Sequence, residues 1–288
     1  MPVFWKRIDS VRKKAFFKAL ALTLAVVAVI FSADFALSEI ADISAYENTP
    51  KCSEAEWNGL LDRAQNGRLD SEAYSLIFNQ TGLGSAADSV IEKGVDGLNT
   101  YRDYFTAEKD YICHREGIFA HHEAITDADG KPCQNPDFAD LEDGDILITL
   151  SIHSLGWRHG HAAVVTDAES GATVEATMFG EKSGEGNTAE WRSYPFVAVL
   201  RAKDLSKSER ESLAEYAKTL AGLNYSLLAG VFENSKTTHC AHLVKLAFDE
   251  FGVDIDSNGG KIITPLQILK SENLEIVQIY GNTKECEV

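Results

Sequence analysis

Apolar residues along this chain fall into three regimes. Residues 19–33 are uncharged and almost continuously apolar, without a helical or strand period. From residue 53 to 105 apolar positions recur at helical spacing, in segments 53–66, 71–79, 86–92 and 95–105. Ser53 and Ser71 read as N-caps, and Gly82, Gly84 and Ser85 break the pattern. Residues 116–140 are polar, with turn signals at Asp129-Gly130 and Pro132. His121 and His122 are adjacent there, cannot face the same way, and read as surface residues. After Gly144 short strand-like runs begin, at 145–150, 160–166, 173–177 and 195–201. Glu169-Ser-Gly171 and Ser183-Gly-Glu-Gly-Asn187 read as the turns between them. Helical spacing returns at 206–220 and 240–251. Thr264-Pro265 opens a short helix with Pro at its first position, and 274–280 is a last strand. A sheet that precedes its helices predicts an α+β fold with an N-terminal mainly helical region. The regions are 1–37, an export segment, then 38–140, opening on a polar connector to residue 50, and 141–288.

Charge sharpens the first region. Lys6, Arg7, Arg12, Lys13, Lys14 and Lys18 precede or enter the apolar run against a single Asp9. A basic head and a short apolar core fit a secretory signal. A spanning helix wants about 20 apolar residues, and extending this run crosses Asp34. Ala33 and Ala36 are both poor cleavage sites, so a cleaved signal and a retained anchor stay open. The basic end is expected to remain inside, which places the rest at the cell surface or in the medium. The whole chain carries a formal charge of −17. Such a body repels phosphates, which argues against nucleic-acid binding.

The candidate chemistry begins at Cys240, at the start of the helix Cys240-Ala-His-Leu-Val-Lys-Leu-Ala-Phe-Asp-Glu-Phe251. A helix N-terminus favours thiolate, the attacking form of cysteine. The run Arg158-His-Gly-His-Ala-Ala-Val-Val165 can supply an imidazole. His159 and His161 are two apart and share a strand face. His161 runs directly into the strand and is the better-held base. Glu175, amid apolar Thr173-Val-Glu-Ala-Thr177, is the candidate to orient that imidazole; a solvent-facing acid on an edge strand is the ordinary alternative. The Cys240 N–H and the Tyr225 phenol are candidate donors to an oxyanion. A buried structural cysteine is the bland reading of Cys240. A zinc site built from His159, His161, His239, Cys240 and His242 is the rival chemistry, but no Cys-x-x-Cys or His-Glu-x-x-His frame accompanies it. No metal or cofactor is expected.

The chain has five cysteines. With Cys240 a free thiol, Cys52, Cys113, Cys133 and Cys286 form an even set with three possible connectivities. Cys113–Cys133 across a short polar loop and Cys52–Cys286 between the ends are the favoured pairs.

In order along the chain come Gly144-Asp-Ile-Leu147, Gly156-Trp-Arg-His-Gly-His-Ala-Ala-Val-Val165, Val174-Glu-Ala176, Trp191-Arg-Ser-Tyr-Pro195 and Val199-Leu-Arg201. Tyr225-Ser226, Thr238-His-Cys-Ala-His-Leu-Val244 and Gly260-Lys-Ile-Ile-Thr-Pro265 follow. The series, roughly the second half of the chain, resembles the YiiX/YycO-like branch of circularly permuted NlpC-type peptidases. Gln80-Thr-Gly-Leu-Gly84 also resembles exported relatives from Gram-positive bacteria. The resemblance implies a papain-like fold with the histidine-bearing sheet ahead of the nucleophile helix. It further implies Cys240 as nucleophile, His161 as base, Glu175 as third member, and hydrolysis of an amide, most often in peptidoglycan stem peptides. Ala241 departs from the Ser usual after the cysteine. Acyl hydrolysis or transfer on lipid or protein with the same residues is the alternative enzyme. A surface module that only binds muropeptide or a protein is the non-enzymatic one. The expected partners are therefore a cell-wall peptide or acyl substrate and, for the N-terminal segment, the membrane or export machinery.

Overall fold

The computed structural model describes residues 16–34, 36, 52–107, 109–116, 120–127, 129–231 and 236–281. The basic head, the connector before residue 51 and Cys286 lie outside them, and so does the Cys52–Cys286 pair. Helix α1 (Phe16–Asp34) is long and apolar enough to cross a membrane, and none of its apolar window is buried in the protein. Four helices follow: α2 (Glu54–Gln65), α3 (Ser71–Thr81), α4 (Ala86–Lys93) and α5 (Gly97–Phe105). Ser53 caps α2 with a reciprocal Glu56 bond, as its spacing predicts. Asp70 caps α3 in place of Ser71, its carboxylate accepting from the Ala73 N–H.

The central sheet has six antiparallel strands in the order β11-β8-β3-β5-β6-β7. They are β3 (Ile146–Thr149), β5 (His161–Asp167), β6 (Ala172–Glu175), β7 (Gly184–Asn187), β8 (Val197–Ala202) and β11 (Leu274–Tyr280). Both faces of the sheet are covered, so its inner strands are apolar runs with little alternation. On one face Ile146, Ala162 and Val164 pack against α7 (Lys207–Lys218), α8 (Cys240–Asp249) and α9 (Pro265–Leu269). On the other, Leu147, Ala163 and Val165 share a core with Trp57, Ile77 and Leu98 of the N-terminal helices. The helical half is thus a layer of the same body. Gln80-Thr-Gly-Leu-Gly84 is where they meet: Gly84 N–H donates to Val277 O at 3.0 Å, and Ile279 N–H to Gly82 O at 2.7 Å. A Cβ on Gly84 would lie 1.9 Å from Ile276 O, so the contact requires glycine. The chain is α+β, as its pattern predicts.

Four expectations need correction. The polar stretch read as loop contains a hairpin, β1 (Asp110–Glu116) and β2 (Ala120–Thr126), which β4 (Ile152–Ser154) extends to three strands. Its cross-strand pairs include Cys113 with Glu123 and Arg115 with His121, so no apolar alternation marked it. His121 is buried, stacked 5.3 Å from His153 of β4, and is not a surface residue. No disulfide joins Cys113 to Cys133. Cys133 N–H binds Ile125 O along one edge of β2, whereas Cys113 lies on β1 along the other. Finally, the Ser183-Gly-Glu-Gly-Asn187 turn is the edge strand β7.

Candidate active site

Cys240 is the first residue of α8, and its side chain is buried. His239 precedes it in extended conformation and caps the helix, its Nδ1 accepting from the His242 N–H at 3.3 Å. The segment entering the helix, β10 (Thr237–Thr238), pairs in parallel with β9 (Asn224–Tyr225), which brings Tyr225 alongside the cysteine.

His161 is the first residue of β5 and Glu175 the last of β6. The register pairs Ala163 with Glu175, so the acid sits two positions along from His161 on the same face. Glu175 Oε2 hydrogen-bonds His161 Nε2. A ring nitrogen carries at most one N–H, so Nδ1 is the nitrogen left for the Cys240 sulfur, whose charge is coupled to that of His161. Glu175 is buried and accepts from Thr173 Oγ1 at 3.2 Å. Trp191, the last residue of the short helix α6 (Thr188–Trp191), helps to hold this carboxylate low, and its ring lies flat on His161 with centroids 5.2 Å apart and planes at 16°. Gly186 of β7 leaves the space for this carboxylate: a Cβ there would fall 1.7 Å from Glu175 Oε1. The sheet therefore supplies both the imidazole and its orienting acid.

The electrostatics follow from these contacts. Burial pushes the Cys240 thiol up, but the neighbouring His161, and then His239, outweigh it and bring the thiol down to about 5. Burial likewise pushes His161 down, while Cys240 and Glu175 together raise it to about 10. Glu175 is raised by burial and brought below its ordinary value by His161. At neutral pH the site holds a thiolate, an imidazolium and a carboxylate in a row.

The other candidates separate. His159 bonds Ser154 Oγ through Nε2 at 3.1 Å and stays neutral, lowered by burial, near Cys240 but without Glu175. Tyr225 is pushed up by burial and by the Cys240 charge, so it stays protonated as a donor. His242 Nδ1 faces Thr238 Oγ1 at 3.2 Å, and burial lowers its ring to about 4. Among the described residues no group of three or more His, Cys, Asp or Glu is arranged to hold a metal ion. Trp191 and Gly186 are the residues that sequence reasoning missed as parts of the site. Nothing in their local pattern distinguishes a stacking tryptophan from a core one, or a spacing glycine from a turn.

A second Cys-His-Glu group lies on the three-stranded sheet. Cys113 Sγ is 3.8 Å from His153 Nε2, and Glu123 Oε1 is 3.6 Å from the same nitrogen. Glu123 is fully buried and held by both terminal nitrogens of Arg158, at 2.6 and 3.0 Å. No protein-family model, no curated protein and no solved structure matches this chain.

Proposed function

We propose that the protein is an exported cysteine hydrolase that cleaves an amide bond, with peptidoglycan stem peptides as the expected substrate class. The supporting observation is the Cys240–His161–Glu175 chain with its thiol lowered to about 5 and its imidazole raised to about 10. The thiolate attacks the amide carbonyl and forms a C–S bond. The charge gathering on oxygen is met by the Cys240 N–H, which as a first-turn group has no acceptor inside the helix, and by the Tyr225 hydroxyl. His161 gives its proton to the leaving amine, the C–N bond breaks, and a thioester remains. The now neutral imidazole takes a proton from water, whose oxygen attacks the thioester and releases acid and thiolate. Glu175 holds the ring in orientation and stabilises its charge throughout. The test is release of new amino groups from purified muropeptides by the full chain, compared with Cys240→Ala and His161→Ala variants of unchanged circular dichroism. Loss of release in both is expected. Undiminished release in both would overturn the reading.

A further inference from the structure

The outer end of α1 is built into the body beside the cleft. Asp34, its last residue, is 1% exposed, and its Oδ1 accepts the Leu155 N–H at 3.1 Å. Its Oδ2 lies 3.6 Å from Arg115 and 3.7 Å from His121. One turn earlier, the Phe31 ring is covered by the Arg115 guanidinium at 5.1 Å. Cleavage after Ala36 would remove Asp34 from these contacts, so the folded body uses a residue that such processing discards.

Leu155 is the only non-glycine residue with positive φ among those described, at 51°, and it stands at the tip of the hairpin Ser154-Leu-Gly-Trp157. That hairpin leads into the site: Trp157 lies over His159 at 5.6 Å, and the Cys240 charge reaches His159. Outside α1, all but two of the exposed large apolar residues among those described lie on three loops next to His161, Glu175 and Tyr225. They are Leu155 and Trp157 before His161, Met178 and Phe179 after Glu175, and Leu227 and Leu228 after Tyr225. The second and third loops are joined by the Tyr225 N–H to Glu181 O bond at 3.1 Å, and the third is tied to the nucleophile segment by Ser226 N–H to Thr238 O at 2.8 Å. Trp157 is 63% and Phe179 87% exposed, and large apolar side chains grouped on loops beside a site mark an interaction surface more than singly scattered ones do.

We propose that α1 is retained and that this apolar rim rests in the bilayer leaflet into which α1 emerges, so that the Cys240 cleft opens against the membrane surface. Depth supports the bilayer as occupant. α1 has 19 residues, roughly 28 Å of helix, against a hydrocarbon core of about 30 Å. Asp34 therefore sits near the hydrocarbon boundary, and the Leu155 amide bonded to it fixes the Trp157 loop at headgroup depth, where tryptophan is favoured. The acidic body would be repelled by anionic headgroups, so contact must come through apolar insertion, as the rim provides. A substrate reaching Cys240 from this side carries its scissile carbonyl at headgroup level, on an amphiphile anchored in the bilayer. That consequence rests on the hydrolase reading; the membrane contact does not.

The test is fluorescence of the full chain carrying Trp5→Phe, reconstituted in phosphatidylcholine–phosphatidylglycerol vesicles with or without brominated acyl chains near the headgroup. Trp57 and Trp191 are buried in the protein and serve as the unquenched background. Brominated lipid is expected to remove about half or more of the Trp157 emission, insertion depths being about 5–10 Å, and the effect should vanish with Trp157→Phe. Asp34→Ala, and separately Phe179→Ser with Leu228→Ser on the exposed rim, should weaken it. Cys240→Ala should quench like the parent, whatever the activity proves to be. Equal emission in both vesicle types would overturn the proposal. So would a Trp157 shift that follows protein concentration instead of lipid, or native membranes yielding only a chain cut at or before Ala36.

Discussion

Two groups of cysteine, histidine and glutamate sit in this molecule, and only one is arranged to make a nucleophile. In the Cys240 group the imidazole meets the acid through Nε2 and leaves its other nitrogen for the sulfur, so charges of alternating sign stand in a row. In the Cys113 group one nitrogen, His153 Nε2, faces both sulfur and acid, and Arg158 holds the acid's charge. Cys113 lies mid-strand, where no helix terminus favours thiolate, and Cys240 opens a helix. Residue type is the same in both; backbone setting and the counter-charge differ.

The comparison breaks most decisively at the sulfurs. Cys240→Ala is expected to lower kcat/KM on muropeptide by about 10⁴ or more, while Cys113→Ala changes it less than about twofold. Equal losses would show that the second group participates.

His161→Gln should remove the main support for the thiolate. With the thiol rising from about 5 toward an ordinary value near 8.5, iodoacetamide labelling at pH 6 falls by roughly 300-fold. In the parent, kcat/KM should rise with pH as the thiol ionises through about 5 and fall as His161 loses its proton through about 10. The active form is thiolate with imidazolium, hence the bell. A single limb near pH 8 would mean that the pair is not pre-ionised.

Gly186→Ala forces Glu175 from its place. A loss of about tenfold in kcat/KM is expected, with the alkaline limb moved to lower pH because His161 loses a partner that raises it. An unchanged alkaline limb would remove Glu175 from its assigned role. The smallest effect concerns the second group. Arg158→Gln should lower stability by about 2 kcal/mol in thermal or urea melts, yet raise Cys113 labelling at pH 6 by no more than about threefold. A larger rise would make Arg158 alone the reason that Cys113 is quiet.

Much of this arrangement is legible in residue order. The helices of the first half, the start of α8 at Cys240, the opening of α7 at one of Ser206 and Ser208, with Ser206 the cap the structure shows, and the opening of α9 by Thr264-Pro265 follow from short-range spacing and capping chemistry. The choice of His161 over His159 followed from placing it inside a strand, and the structure sets His161, not His159, against Glu175. The β1–β2 hairpin was invisible because residues that fill it, such as Glu123 and His121, are polar yet buried against β4 and Asp34. Burial of polar groups by pairing leaves no periodic apolar signal. β7 failed for a related reason: its Gly186 makes room for the Glu175 side chain, and a glycine so placed looks like a turn when read along the chain.

The sequence by itself determined the α+β class, the helix that presents Cys240 and the strand that presents His161, because periodicity and capping act over a few residues. Only the tertiary structure decided that Glu175 faces inward, that Trp191 stacks on His161, that Cys113 and Cys133 stay apart, and that Asp34 ties α1 to the rim of the cleft. Each of these depends on strand register or on contacts between residues far apart in the chain, which no local pattern encodes.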